Sequence, residues 1–87
     1  MIKSKELLRE FEELFDSLGI VIKYDNIKND GGYCKYKEKE FIIINKILPL
    51  KNKLKIYKKI LKNILQEKGD IFIKPLIREF LEDDKDS

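Results

Sequence analysis

The segment Phe41–Ile44, "FIII", constrains the fold more than any other part of the chain. Four consecutive large apolar residues, three of them β-branched, favour a β-strand. Side chains alternate along a strand, so Phe41 and Ile43 lie on one face and Ile42 and Ile44 on the other. A strand that is apolar on both faces should be covered on both. Either a C-terminal helix or a second subunit must therefore cover the face that the long helices leave open.

Helical spacing of apolar residues occurs on both sides of this strand. After Ser4, a predicted N-cap, the first such segment runs to Gly19, which supplies a stop. The second begins near Pro49 and ends near Gly69, with its apolar residues on one side of the helix. The sequence "PLIREFLE", residues 75–82, predicts a short third helix.

Two further strands are predicted between the long helices. "IVIKY" follows Gly19, "YCKYK" follows the turn-rich "DNIKNDGG", and the charged "EKE" forms a tight turn before "FIIIN". We expect an antiparallel meander in chain order. The predicted fold class is α+β: a three-stranded antiparallel sheet with two long helices on one face, in the order αβββα, plus a short C-terminal helix. We expect residues 1–82 to form one domain and residues 83–87 to form an acidic flexible tail.

The residue types argue against catalysis. The 87 residues include no histidine, so the usual general base and the commonest metal ligand are both missing. The single cysteine, Cys34, lacks a histidine partner and is interpreted as a core thiol. The glycines of "DGG", residues 30–32, favour a turn with positive φ and lack the pattern of a phosphate-binding loop. We therefore predict no catalytic residue, no metal and no cofactor.

The apolar segments are short. None approaches the ~20 apolar residues that span a bilayer, and the N-terminus lacks the pattern of a signal peptide. We expect a cytoplasmic protein with no membrane partner.

Residues 41–66 contain seven lysines and no acidic residue. On a helical projection most of the lysines of the second helix share a stripe about 60° wide, with one more beside it. They are Lys51, Lys55, Lys58, Lys62 and, beside them, Lys59. One interpretation is a solvated helix face, partly balanced by the acids of the first helix or by the acidic tail. The other is a polyanion-binding surface, because like charges at this spacing repel one another unless a ligand offsets them.

The sheet offers a secondary set of contacts. We expect Ile20, Ile22 and Tyr24 to face the helices, joined by Cys34 and Tyr36. The opposite face would then show Val21 together with Lys23, Tyr33, Lys35 and Lys37. Lysine next to an aromatic ring suits nucleic acid, and it also keeps a sheet face soluble.

Three resemblances accompany these patterns. The span from "LGIVIKYDNI" through "GGYCKYKEKEFIIINKIL" to "IFIKPLIREFLE" resembles a family of short uncharacterised bacterial proteins, which implies no activity. The helix, three strands, helix order is similar to the front half of phage-repressor-cleaving zinc peptidases. Their second helix bears H-E-x-x-H, whereas "KLKIYKKILKNIL" has neither histidine nor acid, so their metal site is absent. The same order resembles double-stranded-RNA-binding domains, and "KNKLK" is similar to the lysines that open their second helix. This chain lacks the histidine-bearing loop of that family, and Lys58 and Lys59 replace its alanine pair.

Two functions follow as expectations. The first is a non-enzymatic binding module that engages a polyanion such as nucleic acid, or an acidic protein, through the lysines of the second helix. The alternative is a protein–protein interaction or self-associating module, a possible homodimer, with an apolar sheet interface and lysines that only solvate the surface.

Overall fold

The computed structural model describes residues 3–82, and the side chains of residues 4–82. Three helices and three strands follow in the order α1 (Lys3–Ser17), β1 (Ile20–Asp25), β2 (Gly31–Tyr36), β3 (Lys39–Asn45), α2 (Leu50–Lys68) and α3 (Pro75–Glu82). The α+β class and the order of elements are confirmed. The predicted acidic tail, residues 83–87, lies outside the described residues. Within residues 3–82, no helix combines the length and apolarity needed to cross a bilayer.

The sheet is mixed, and the predicted antiparallel meander is wrong. The strand order is β1-β3-β2, so β3 lies in the centre. β1 pairs with β3 in parallel, with Ile22 beside Ile42, whereas β2 pairs with β3 antiparallel, with Tyr33 beside Ile42. The two-residue turn of the β2–β3 hairpin is Lys37–Glu38, both with positive φ, one position earlier than the predicted "EKE" turn.

The central position of β3 follows from its composition. A central strand pairs through both edges and is covered by neighbouring side chains on both sides, so it is where an all-apolar segment is best shielded from water. β1 and β2, which carry lysines and tyrosines, take the edges. To reach the far side of β3, the chain between β1 and β2 spans two strand spacings, about 10 Å, which five residues cover easily.

Asn45 holds this crossover in place. Its side chain is buried at the end of β3, and its amide donates hydrogen bonds to the carbonyls of Ile27 (3.0 Å) and Asn29 (3.1 Å). Its side-chain oxygen accepts a hydrogen bond from the Ile47 amide, and its own backbone amide donates to Asp30. A single polar residue thus satisfies backbone groups before, beside and after itself, and it ties the β1–β2 loop across the end of β3.

Gly31 enables the close approach of this loop to the sheet. Its φ is +119°, and a β-carbon at this position would lie 2.0 Å from the carbonyl oxygen of Ile43. The positive φ predicted for the "DGG" segment is therefore found at Gly31, where β2 begins.

The N-cap predicted at Ser4 is wrong, because α1 already includes Lys3.

The hydrophobic core lies between the sheet and the helices. α1 packs on β1 and α2 packs on β2, and the two helices also contact each other. The Phe11 ring of α1 stacks on the Tyr57 ring of α2, with centroids 5.6 Å apart, and the Phe15 ring lies tilted against Tyr57 at 5.4 Å. The sheet contributes its inner face, whose fully buried residues are Ile20, Ile42 and Ile44.

α3 does not cover the second face of the sheet. It packs against α1 and α2, where Ile77 is buried and the Phe80 ring contacts Phe11 edge-on at 6.0 Å. We call the opposite side of the sheet the outer face; it carries Val21, Lys23, Cys34, Tyr36, Phe41 and Ile43. Within residues 3–82 this face stays open to solvent, with Val21 46% and Tyr36 64% exposed.

Replacement of Asn45 tests its role. Asn45→Ala leaves the carbonyls of Ile27 and Asn29 without their partner, so we expect a loss of about 2 kcal/mol or more in the free energy of unfolding. Urea denaturation measures this loss. Asn52→Ala, at an exposed position of α2, is the matched control and should change stability by less than about 0.5 kcal/mol. Equal effects of the two substitutions would contradict the assigned role.

Candidate functional site

Four of the five lysines predicted on α2 form one exposed row. We call Lys51, Lys55, Lys59 and Lys62 the lysine row. The opposite side of α2 is buried against α1 and the sheet, which turns these side chains toward solvent. At 1.5 Å per residue, the row extends over about 16 Å.

Lys58, the fifth predicted lysine, is in a different environment. It is buried, with 7% of its surface exposed, and its ammonium lies 5.0 Å from the centroid of the Phe80 ring. On the helical projection Lys58 lies at the border between the lysine row and the buried side, and α3 covers that border. Its position therefore depends on tertiary packing, and it does not contribute to the exposed surface.

The acids of α1 do not neutralise the lysine row by direct contact. Within residues 3–82, the ion pairs are Glu40–Lys68 and Glu13–Lys74, both at 3.7 Å, and neither involves the row. Glu12, also on α1, accepts a hydrogen bond from Tyr24. The solvated-face interpretation proposed that the acids of α1 balance the lysines of α2. Ion pairs between the two helices do not provide that balance.

The beginning of α2 adds positive potential. No acidic residue lies in its first turn, and Pro49 offers no side-chain cap. Lys51 and Lys53 occur there, where the helix dipole already favours anions over cations. The ammonium of Lys53 lies 5.1 Å from the Tyr24 ring centroid, whereas Lys51 is exposed. An anion near this end of the row would be stabilised both by the side chains and by the helix.

Neutral amides border the lysine row, and sequence reasoning missed them. Asn52, Asn63 and Gln66 are exposed on α2, and the projection places them beside the lysines. Asn63 and Gln66 also line a groove of about 270 Å³ between α2 and β2, together with Tyr33. Amides both donate and accept hydrogen bonds, so this border suits a polar ligand. The helical projection of the sequence was the signal that could have found them.

The secondary set of sheet residues is not brought together. The register places Tyr33 and Lys35 on the helix side of β2, because they pair beside Ile42 and Glu40 of β3. Lys23 lies on the outer face and Lys37 in the hairpin turn. The predicted faces of β2 are therefore inverted. Tyr33 donates a hydrogen bond to Glu40 at 2.5 Å, and this bond is the main reason why its pKa is raised to about 12.

Cys34 is exposed on the outer face, so its interpretation as a core thiol is wrong. The same inversion of β2 explains the error, because Cys34 pairs beside Phe41 rather than beside an inner-face isoleucine. Within residues 3–82, no three of the histidine, cysteine and carboxylate side chains are grouped so as to hold a metal ion.

A chain of hydroxyl groups links the core to α1. The hydroxyls of Tyr24 and Tyr57 are 2.6 Å apart, and Tyr24 donates a hydrogen bond to Glu12, so Tyr57 is the donor between the two tyrosines. Burial raises the pKa of both tyrosines, that of Tyr57 to about 12, and the bond to Glu12 raises that of Tyr24 further. A groove of about 420 Å³ lies beside Tyr24 and is lined by Glu12 and Asp16. Protonated tyrosines here stabilise the packing of α1 on the sheet.

Comparisons of this chain with protein-family models, with curated proteins and with solved structures find no significant match.

The buried tyrosine predicts a dependence of stability on pH. Folding raises the pKa of Tyr57 from its ordinary value near 10 to about 12, so its contribution is complete below about pH 10 and is lost as the pH rises toward 12. Unfolding free energies measured from pH 9 to 11.5 should decline less steeply in Tyr57→Phe than in the wild type. Parallel curves would contradict this assignment.

Lys58 and Lys55 make a matched pair for stability. Lys58→Glu places a carboxylate against the negative face of the Phe80 ring in a buried position, and we expect a cost of about 2 kcal/mol or more. Lys55→Glu, at an exposed position, should change stability by less than about 0.5 kcal/mol. Urea denaturation of both variants measures the difference. If Lys58→Glu is as stable as the wild type, the Lys58 side chain is not held against α3.

Proposed function

We propose that this protein is a binding module that engages nucleic acid through the lysine row of α2, by contacts to phosphates. The observation that carries the proposal is the row itself: four exposed lysines on one helix face without an ion pair to any residue among 3–82. The row consists of Lys51, Lys55, Lys59 and Lys62.

The energetics of α2 support a polyanionic partner. Like charges four residues apart on a helix destabilise it by roughly 0.2–0.5 kcal/mol per pair, and Lys51, Lys55 and Lys59 make two such pairs. Cations in the first turn add a further cost against the helix dipole. A ligand with closely spaced negative charges relieves both costs on binding.

The dimensions of the row agree with a duplex. Double-stranded DNA carries one phosphate charge per roughly 1.7 Å of axis, so a row about 16 Å long runs along about ten phosphates. Lysine contacts phosphate as a point charge, and phosphate contacts carry no direct sequence information, so the proposal includes little sequence preference. It also excludes Lys58 from the contact surface, because that side chain is buried.

The salt dependence of binding tests the proposal. Four lysine–phosphate contacts should give a slope of log K against log salt of roughly −3 to −4 for duplex DNA, with micromolar or weaker binding at physiological salt. Fluorescence anisotropy with labelled duplex DNA, duplex RNA and single strands, titrated from about 20 to 200 mM salt, measures both quantities. Lys55→Gln should make the slope shallower by about one.

A control with matched net charge distinguishes the effect of the lysine row on binding from the effect of overall charge. The double variant Lys55→Glu, Lys59→Glu and the double variant Lys5→Glu, Lys28→Glu both reverse two exposed lysines, but only the first pair lies in the row. We expect the first to abolish binding and the second to weaken it only modestly. Equal losses would assign binding to net charge alone, and no binding by the wild type at low salt would reject the proposed function.

A further inference from the structure

The outer face of the sheet combines an apolar centre with charged ends. In the centre, Phe41 pairs beside Val21 and Cys34, and Ile43 pairs beside Lys23 and Gly32. Phe41 and Ile43 are only half-buried although they lie on the apolar central strand, and Val21 and Cys34 beside them are exposed. Water-exposed apolar surface on a central strand is what a binding partner would cover.

The charges at the two ends of this face are opposite. At the hairpin end, Tyr36 pairs beside Lys39. At the crossover end, Asn45 lies between two acidic residues: Asp25 pairs beside it on β1, and its amide bonds to the Asp30 carbonyl on the other side. Six residues of a strand separate these ends, which corresponds to about 20 Å.

We propose that the outer face binds a second copy of this chain in a face-to-face dimer, with a twofold axis that lies between the two sheets and perpendicular to their strands. This axis places the hairpin end of each copy over the crossover end of the other. Lys39 then approaches Asp25 and Asp30 of the second copy, and the same contact occurs twice. Phe41 lies over Ile43 of the second copy, and Cys34 lies over Gly32, where no side chain competes for space.

The remaining lysine of the face is compatible with this arrangement. Lys23 lies on β1, an edge strand, and its ammonium is 5.5 Å from the Phe41 ring centroid. At a sheet edge its aliphatic stem can stay in the interface while the ammonium reaches solvent. The other twofold arrangement, with parallel strands, would place Lys39 over Lys39 and the acidic pairs over each other, so charge selects the antiparallel one.

The size of the face sets the expected affinity. Three strands about 4.8 Å apart and about 20 Å long give a projected area of roughly 300 Å². Stable complexes bury about 800 Å² per partner, so this dimer belongs to the small and weak class. We expect a dissociation constant in the micromolar range. A nucleic-acid strand is a poorer occupant, because its phosphates would have to pass the acidic pair Asp25 and Asp30.

Sedimentation equilibrium between about 5 and 500 µM, a range chosen to bracket micromolar affinity, tests the dimer. Val21→Arg should weaken association at least tenfold, since it faces Lys23 of the second copy, and Val21 is exposed enough for folding to survive. Phe72→Arg, at a residue 81% exposed between α2 and α3, is the control and should leave association unchanged. Lys39→Asp and Asp30→Lys should each weaken the dimer, and the double variant should recover most of the loss.

Cys34 provides a second readout in the unmodified protein. Its thiol is exposed in one chain and covered in the proposed dimer, so its rate of reaction with a disulfide reagent should fall as protein concentration rises. Val21→Arg should remove that concentration dependence. A wild type that sediments as one chain throughout, with a constant thiol rate, would overturn the proposal. If Cys34 is protected only when a single-stranded oligonucleotide is added, the outer face binds nucleic acid instead. None of these outcomes depends on the lysine row.

Discussion

The structure depends on the position of β3 at the centre of the sheet. This strand is apolar on both faces, so it is stabilised most when both of its edges are paired and its inner face is buried. That position requires the chain to cross from one side of β3 to the other between β1 and β2. Asn45 supplies hydrogen bonds that hold the crossover, so a single buried amide stabilises this strand order.

The two faces of the sheet have different surroundings. All three helices lie on the inner side of the sheet, where the core and the lysine row are found. The outer face holds Phe41 and Ile43 without a covering helix. A phosphate-binding helix and an apolar sheet face are therefore on different elements, and a dimer through the sheet would leave the lysine row of each copy accessible.

Tertiary packing sorts the lysines of α2 into different roles. The four of the row face solvent, Lys58 lies against Phe80, and Lys53 lies against Tyr24. Lysine suits all of these environments because its aliphatic stem packs on apolar or aromatic surface while its ammonium remains solvated or contacts a ring. The helical projection already places Lys53 on the apolar side and Lys58 at its border, but the rings that these two lysines contact are known only from the positions of α3 and of β1.

The sequence by itself determined the α+β class, the order of elements, the bounds of α3 and the direction of most lysines on α2, because these depend on local periodicity and on residues such as Pro49, Pro75 and Gly69. Strand order, the orientation of β2, the exposure of Cys34 and the burial of Lys58 were decided only by the tertiary structure. The physical reason is that alternation along a strand defines two faces without saying which one is inside. That choice depends on which strands become neighbours, and here it was made by burial of β3 and by the long-range hydrogen bonds of Asn45.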